Sequence, residues 1–340
     1  MTIRIALDAM GGDNAPHAVI KGAVRAVKRN PSTAFILVGQ EEVIREQLKL
    51  EGVAEGTFQI QPATQVVEMG EHPLVALRTK KDSSMRVGAN LVKSGDADAF
   101  VSAGNTGALM ATARFVLKML PDIDRPAIAS MMPNVDGQTL MLDLGANVDC
   151  TAEHLVQFAL MGQVYCTAVL GNKKPRIGLL NIGEEDMKGN GVVKDAGEQL
   201  KLTNEFFIGS VEGTDIFLGS VDVVVCDGFV GNVSLKSTEG VAQMLSHFLR
   251  QAFSTSLFAK LGYLLAYPAL RRFRSRVDHR RYNGAMLLGL NGVVVKSHGS
   301  ADSFAYSHAI EVAIGLAENR VNEKIHRAVV ESGSTEGETS

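Results

Sequence analysis

The chain is poor in the residues that build redox or metal centres. It has three cysteines in 340 residues, Cys150, Cys166 and Cys226, with no CxxC and no Cys/His metal spacing. A structural zinc site is disfavoured on that ground. The odd count, and a chain that opens directly on a strand-like run with no signal segment, fit a reducing cytoplasm. Charge of either sign is also scarce in excess: 34 basic residues stand against 37 acidic ones, a net charge of −3. Nothing global therefore points to nucleic acid, and any recognition of anions must come from local charge and backbone N–H groups. Three phosphate and nucleophile signatures are missing. There is no GxSxG elbow, no GxxxxGK[ST] loop, and no GxGxxG after the first strand, which argues against a standard dinucleotide fold.

What is present is an ordinary globular composition, 46% hydrophobic and 21% charged. Length alone suggests about two domains at roughly 150 residues each. Strand-like apolar runs fall at 3–7, 35–38, 58–60, 99–102, 127–131, 140–142, 176–180, 206–208, 221–225 and 292–295. Helical patterns fall at 18–28, 41–50, 83–93, 106–120, 152–170, 192–202, 233–252 and 301–328. The alternation predicts βαβ units and a mostly parallel sheet covered on both faces. Many of the strands are apolar without alternation, as double-sided burial requires. The Ser-, Gly-, Thr- and Glu-rich segment 331–340 reads as a disordered tail.

The stretch 8–16, Asp-Ala-Met-Gly-Gly-Asp-Asn-Ala-Pro, joins the first strand to the first helix. Adjacent glycines let the backbone turn sharply and approach a ligand, and Pro16 suits a first helical turn. A strand, a glycine turn and a helix start make an anion site or an ordinary turn. Similar Gly/Asn/Asp loops follow at 103–107, 143–149, 181–190, 226–232 and 296–300. In a parallel sheet all six emerge at one carboxyl edge, where α/β ligands bind, so a functional cleft is expected there.

Several residues carry two readings. Cys226 is a nucleophile or a small buried residue. His298 is a general base or a ring bonded to its own loop. Lys188 neutralises a substrate anion or pairs with Glu184 or Asp186. Asn232 orients a ligand or caps a helix. The segment 245–281 breaks the α/β pattern: Leu257, Phe258, Leu261, Leu264 and Leu265 recur at helical spacing, and an arginine cluster follows from Arg271 to Arg281. The run 257–270 holds Lys260 and Pro268 and is shorter than the roughly 20 residues that span a bilayer. It fits an interfacial membrane element or a helical pair at a subunit interface.

The motifs DAMGGDNAP (8–16), VSAGNTGALM (101–110), LDLGANVDC (142–150), LLNIGEED-x-KGN (179–190), CDGFVGNVSLK (226–236) and YNGAMLLGLNGVVVKSHG (282–299) resemble, in order, the bacterial phosphate acyltransferase family PlsX. The resemblance implies an α/β fold, a Rossmann-like three-layer α/β/α sandwich with a mostly parallel sheet and a protruding helical pair. It gives one catalytic domain over 1–330, with 245–281 as the projection. It implies transfer of a fatty acyl group from an acyl carrier protein thioester to inorganic phosphate, giving acyl phosphate for phospholipid synthesis. No cofactor and no metal are implied. The implied partners are acyl carrier protein, a second copy of the chain in a homodimer, the membrane surface, and the membrane glycerol-3-phosphate acyltransferase. The implied location is the cytoplasm, peripherally on the inner face of the cell membrane.

Hydrogen phosphate is already anionic near neutral pH, so the reaction needs positioning and charge stabilisation more than a strong base. On this reading Lys188 and Asn232 are catalytic. Asp8, Gly11, Gly12, Asp13, Asn14, Asn105, Thr106, Asn147, Asn181, Lys296 and His298 bind substrate or shape its pocket. Leu257, Leu261, Leu264 and Leu265 touch the membrane. The rivals are a phosphotransacylase using acyl-coenzyme A and a non-catalytic lipid-synthesis scaffold, with a nicotinamide dehydrogenase further behind.

Overall fold

The computed structural model describes residues 2–185 and 187–336, without the side chains of 274–277, 279 and 332–336. In chain order the elements are β1 (Arg4–Asp8), α1 (His17–Arg29), β2 (Ala34–Gly39), α2 (Glu41–Leu50), β3 (Gln59–Pro62), α3 (Pro73–Thr79), α4 (Ser84–Ser94), β4 (Ala99–Ser102), α5 (Thr106–Leu117), β5 (Ala127–Pro133), β6 (Gln138–Leu142), α6 (Ala152–Ala168), β7 (Ile177–Leu180), α7 (Gly191–Thr203), β8 (Phe207–Val211), α8 (Asp215–Leu218), β9 (Val223–Val225), α9 (Gly228–Ser254), α10 (Leu257–Val277), β10 (Ala285–Leu288), β11 (Val293–Lys296), α11 (Ser303–Glu318) and α12 (Val321–Glu336).

The strands form one sheet in the order β3-β2-β1-β4-β11-β10-β5-β6-β9-β7-β8. Its residues alternate between two cores. Ile5, Leu7, Phe35 and Leu37 face the layer of α1, α2, α6, α7, α11 and α12. Ala6, Ile36, Val38 and Phe100 face α3, α4, α5 and α8. This is the expected three-layer sandwich, and the unalternating apolar strands follow from burial on both sides. Phe100, Phe158 and Tyr306 are among the largest fully buried side chains. Truncating one such aromatic to alanine costs about 3–5 kcal/mol.

One expectation about the sheet is overturned. Pairs β11–β10, β10–β5 and β5–β6 are antiparallel. The strands β3, β2, β1, β4 and β11 therefore run opposite to β6, β9, β7 and β8, and the six polar loops divide three and three. Strand twist reconciles the halves. At roughly 20–25° per neighbour, the five steps from β4 to β9 turn the strand direction by roughly 100–125°. A twist of that size brings the directions of the two halves away from strict opposition.

Three local differences stand out. Strand β10 is additional to the expected set and pairs back on β11 through the turn at Gly289, whose φ is +89°. The helix expected over 301–328 is two helices, because Arg320 takes a left-handed φ of +48° between them. The tail expected to be disordered over 331–340 is helical as far as Glu336, and 337–340 lie outside the described residues.

Helices α9 and α10 form the helical pair. From Gly240 onward α9 is exposed at nearly every residue, and the pair is held by an edge-to-face contact of Phe253 with Tyr263 at 5.3 Å. Among the described residues no helix is long and apolar enough to cross a membrane.

Candidate active site

Asp8 closes β1 and is completely buried. Its Oδ2 accepts a 2.6 Å bond from Ser102 Oγ at the end of β4, and Oδ1 accepts from the Met10 N–H. Ser84 and the Gly11 N–H complete its partners. Burial pushes the Asp8 carboxyl above its ordinary range, against the pull of these donors. Gly12 takes a φ of +103°, and a Cβ there would lie 3.0 Å from the Gly299 carbonyl. The loops after β1, β4 and β11 are thus pressed into one cluster. Asp13 N–H donates to the Gly299 carbonyl, and Asn14 Nδ2 donates to the carbonyls of Ser300 and Ala301.

Lys296, the last residue of β11, lies in this cluster with 8% of its surface exposed. Its Nζ donates to the carbonyls of Ala103, at 3.3 Å, and Ser297. Burial lowers its pKa to about 8, with Asp8 and Asp13 pulling upward and Lys236 pushing downward. Lys236 stands two turns into α9 and belongs to the other half of the sheet. Its charge bears on Lys296 from α9. Asn232 and Lys236 are four residues apart and share one face of α9.

In the second half, Asp143 follows β6. Its carboxylate accepts from the N–H groups of Ile128, Gly145, Ala146 and Asn147, and from Asn147 Nδ2. The chain of Gly231 packs against it so closely that a Cβ would sit 1.8 Å from the Asp143 carbonyl oxygen. Asn232 lies directly over Gly145, whose added Cβ would be 3.5 Å from that of Asn232.

The structure places the sequence candidates unevenly. Asp8, Gly11, Gly12, Asp13, Asn14, Lys296 and His298 come together, while Asn232 lies over Gly145 in the other half. His298 Nδ1 meets Ser300 Oγ at 2.9 Å and accepts the Ser300 N–H. Asn105 caps α5 by accepting the Ala108 N–H, and its Nδ2 ties down the carbonyls of Met69 and Glu71. Thr106 is exposed at the start of that helix. Asn147 is buried and committed to Asp143 and the Pro126 carbonyl. Asn181 is spent on its own loop, bonding the Ile182 N–H, the Lys188 carbonyl and Ser210. Lys188 is exposed in that loop, and no hydrogen bond or ion pair joins it to Asn232 among the described residues. Asp186, one of its expected partners, lies outside them.

The three thiols are all held neutral. Cys226 is buried and bonded to the Asp143 carbonyl, and burial raises its pKa well above the ordinary value. Burial likewise raises Cys150 to about 11 and Cys166 to about 12. None is an activated nucleophile. Sequence reasoning passed over Ser84, Ser102, Asp143 and Lys236. Lys236 had a readable signal, its four-residue spacing from Asn232. A surface hollow of about 390 Å³ lies away from these loops, lined by Thr2, Ile3, Ser32, Thr33 and Glu318.

With this geometry in place, comparison with known proteins is decisive. The family model described as "Fatty acid synthesis protein" matches residues 3–324. A "Phosphate acyltransferase" of Magnetococcus marinus is 66% identical over 335 residues, covering 97% of this chain and 96% of the relative. The chain belongs to this family. The resemblance read from the six motifs is thereby borne out, and the protein is an acyltransferase enzyme. Solved structures agree on the fold. A phosphotransacetylase from Streptococcus pyogenes superposes with a TM-score of 0.63 at 19% identity, covering 93% of this chain and 94% of that one. A phosphotransacetylase from Staphylococcus aureus gives 0.62 at 15% identity, with the same two coverages. A branched-chain phosphotransacylase from Enterococcus faecalis gives 0.58 at 15% identity, covering 93% and 99%.

Beyond the end of α10 the expected arginine cluster is in part spoken for. Arg280 pairs with Asp278 at 2.7 Å and Asp302 at 2.9 Å and lies over the Phe304 ring, so it is not part of a free basic rim. The side chains of Arg274 and Arg276 lie outside the described residues.

Proposed function

We propose that the protein transfers a fatty acyl group from an acyl carrier protein thioester to inorganic phosphate by direct attack, giving acyl phosphate for phospholipid synthesis. The observation that carries this reading is the 66% identical relative, matched over nearly its whole length and named for phosphate acyl transfer. The geometry supports the direct route. The three cysteines are neutral and at least half-buried, so an acyl-cysteine intermediate has no ready nucleophile. Hydrogen phosphate brings its own charged oxygen, and the site has only to hold it and the carbonyl in register.

In this reading Asn232 and Lys188 hold phosphate and stabilise the developing oxyanion. The Asp8–Ser102 network fixes the glycine loops, and carboxylates so close to the floor keep phosphate on the α9 side. Acyl carrier protein docks at the cleft mouth. The exposed leucines of α10 rest on a membrane surface and deliver an apolar product to a membrane glycerol-3-phosphate acyltransferase. The protein works as a homodimer on the inner face of the membrane. A donor comparison tests the reading: carrier-protein thioesters should be used far better than coenzyme A thioesters of the same chain. Equal use would favour an acyl-coenzyme A phosphotransacylase. Lys188→Ala retaining near-normal turnover would withdraw that residue.

A further inference from the structure

We propose that Lys296 is the acid that protonates the sulfur of the departing thiol. This rests on the acyl-transfer reading above and assigns the leaving-group half of that reaction.

The ammonium sits at the end of β11, where the loops after β1, β4 and β11 meet. An ammonium has three N–H donors. Two are directed at the carbonyls of Ala103 and Ser297. Among the described residues no carboxylate lies within ion-pair distance of the third. The charged groups that bear on Lys296 are Asp8 on β1, Asp13 in the following loop and Lys236 on α9. Tyr306 of α11 feels Asp8 from behind, with its hydroxyl donating to the Val101 carbonyl. Asp8 and Asp13, whose charges bear on the lysine without pairing with it, make this corner a poor seat for a phosphate dianion. They suit a cation that gives up a proton and takes it back. A cysteine thiol titrates near 8.5 in its ordinary state and a simple alkyl thiol somewhat higher, so the departing sulfur holds a proton that Lys296, brought by burial to about 8, can give. Donor and leaving group are therefore matched for transfer.

The step balances. An oxygen of hydrogen phosphate bonds to the carbonyl carbon, and the tetrahedral adduct collapses. The C–S bond breaks with its electron pair on sulfur, and Nζ passes one proton to that sulfur. The products are thiol, acyl phosphate and a neutral amine. The remaining hydroxyl proton of the phosphate, released as the acyl phosphate ionises, recharges the amine through solvent.

The test compares two thioesters of one fatty acid, an S-alkyl thioester of N-acetylcysteamine and an S-phenyl thioester. Thiophenol is the more acidic thiol and departs without a proton. Lys296→Met should lose about 10²-fold or more of kcat/KM on the alkyl donor, the usual weight of a general acid, and less than about tenfold on the phenyl donor. The ratio is read within one preparation, so it does not depend on how much of the variant is folded. Wild-type turnover of the alkyl donor should fall above pH about 8, and the variant should be flat there. Lys296→Arg, which keeps the charge but holds its proton, should fail in the same selective way. Equal losses on both donors, or recovery of alkyl turnover by arginine, would overturn the proposal. Wild-type enzyme that releases no thiol from either donor with phosphate present would overturn the reaction and this role together.

Discussion

Asp143 Oδ2 accepts two bonds from a single residue, the backbone N–H of Asn147 at 2.7 Å and its Nδ2 at 2.9 Å. The same Nδ2 reaches the Pro126 carbonyl at 2.7 Å. Asn147 is therefore a brace for the loop after β6, over which Asn232 lies, and its amide is not offered to substrate. Asn147→Ala leaves a buried carbonyl and carboxylate oxygen short of donors, which costs about 1–3 kcal/mol. The thermal midpoint should fall while the KM for phosphate in the folded enzyme stays near wild type. A raised KM with unchanged stability would show the amide reaching phosphate after all.

The burial of Cys226 gives a second prediction. Its Sγ lies 3.5 Å from the Asp143 carbonyl, and a serine hydroxyl fits that partner. Cys226→Ser should keep most of its turnover, and hydroxylamine should trap no acyl group on the wild-type protein. A folded but wholly inactive Cys226→Ser enzyme would favour an acyl-enzyme route.

Lys296 makes stability depend on pH in a stated direction. Its folded pKa, about 8, is below its ordinary 10.5. Between these values the unfolded chain binds the proton and the folded one does not, so this group adds stability as pH rises. Relative to Lys296→Met, the wild type should gain up to about 3 kcal/mol of unfolding free energy between pH 8 and 10.5. Denaturant unfolding at both ends of that window measures it. A difference that is flat with pH would mean that Lys296 titrates normally.

The apolar face of α10 is exposed: Leu257 at 83% and Leu265 at 76%, with Leu261 and Leu264 beside them. Flotation with anionic vesicles should recover the wild type and lose Leu261→Glu/Leu265→Glu. Equal recovery of both would remove this face from membrane contact. Gel filtration of the double variant then reports whether the same face holds a second copy.

The sequence made the layers legible because burial on both sheet faces leaves a plain mark, unalternating runs such as Val223–Val225 and Val293–Lys296. The direction of the strands left no such mark. The reversal rests on the antiparallel pairing of β5 with β6, because β10 inverts the direction twice and leaves β5 parallel to β11, and it divided six loops that looked equivalent. The break at Arg320 was likewise silent, since neither Gly nor Pro announces it. At the site, residue type located the loops but not the aim of each side chain. Asn14, Asn105, Asn147 and Asn181 all looked available for substrate, and each turned out to hold backbone. Lysine was more informative, because an ammonium buried to the depth of Lys296 has few structural uses.

The central claim is that phosphate itself takes the acyl group. The most direct measurement is release of free thiol from acyl carrier protein thioester, followed with and without inorganic phosphate and with acyl phosphate quantified alongside. The account predicts one acyl phosphate for each thiol, release that saturates with phosphate, and none without it. Thiol released at the same rate without phosphate, as free fatty acid, would contradict it.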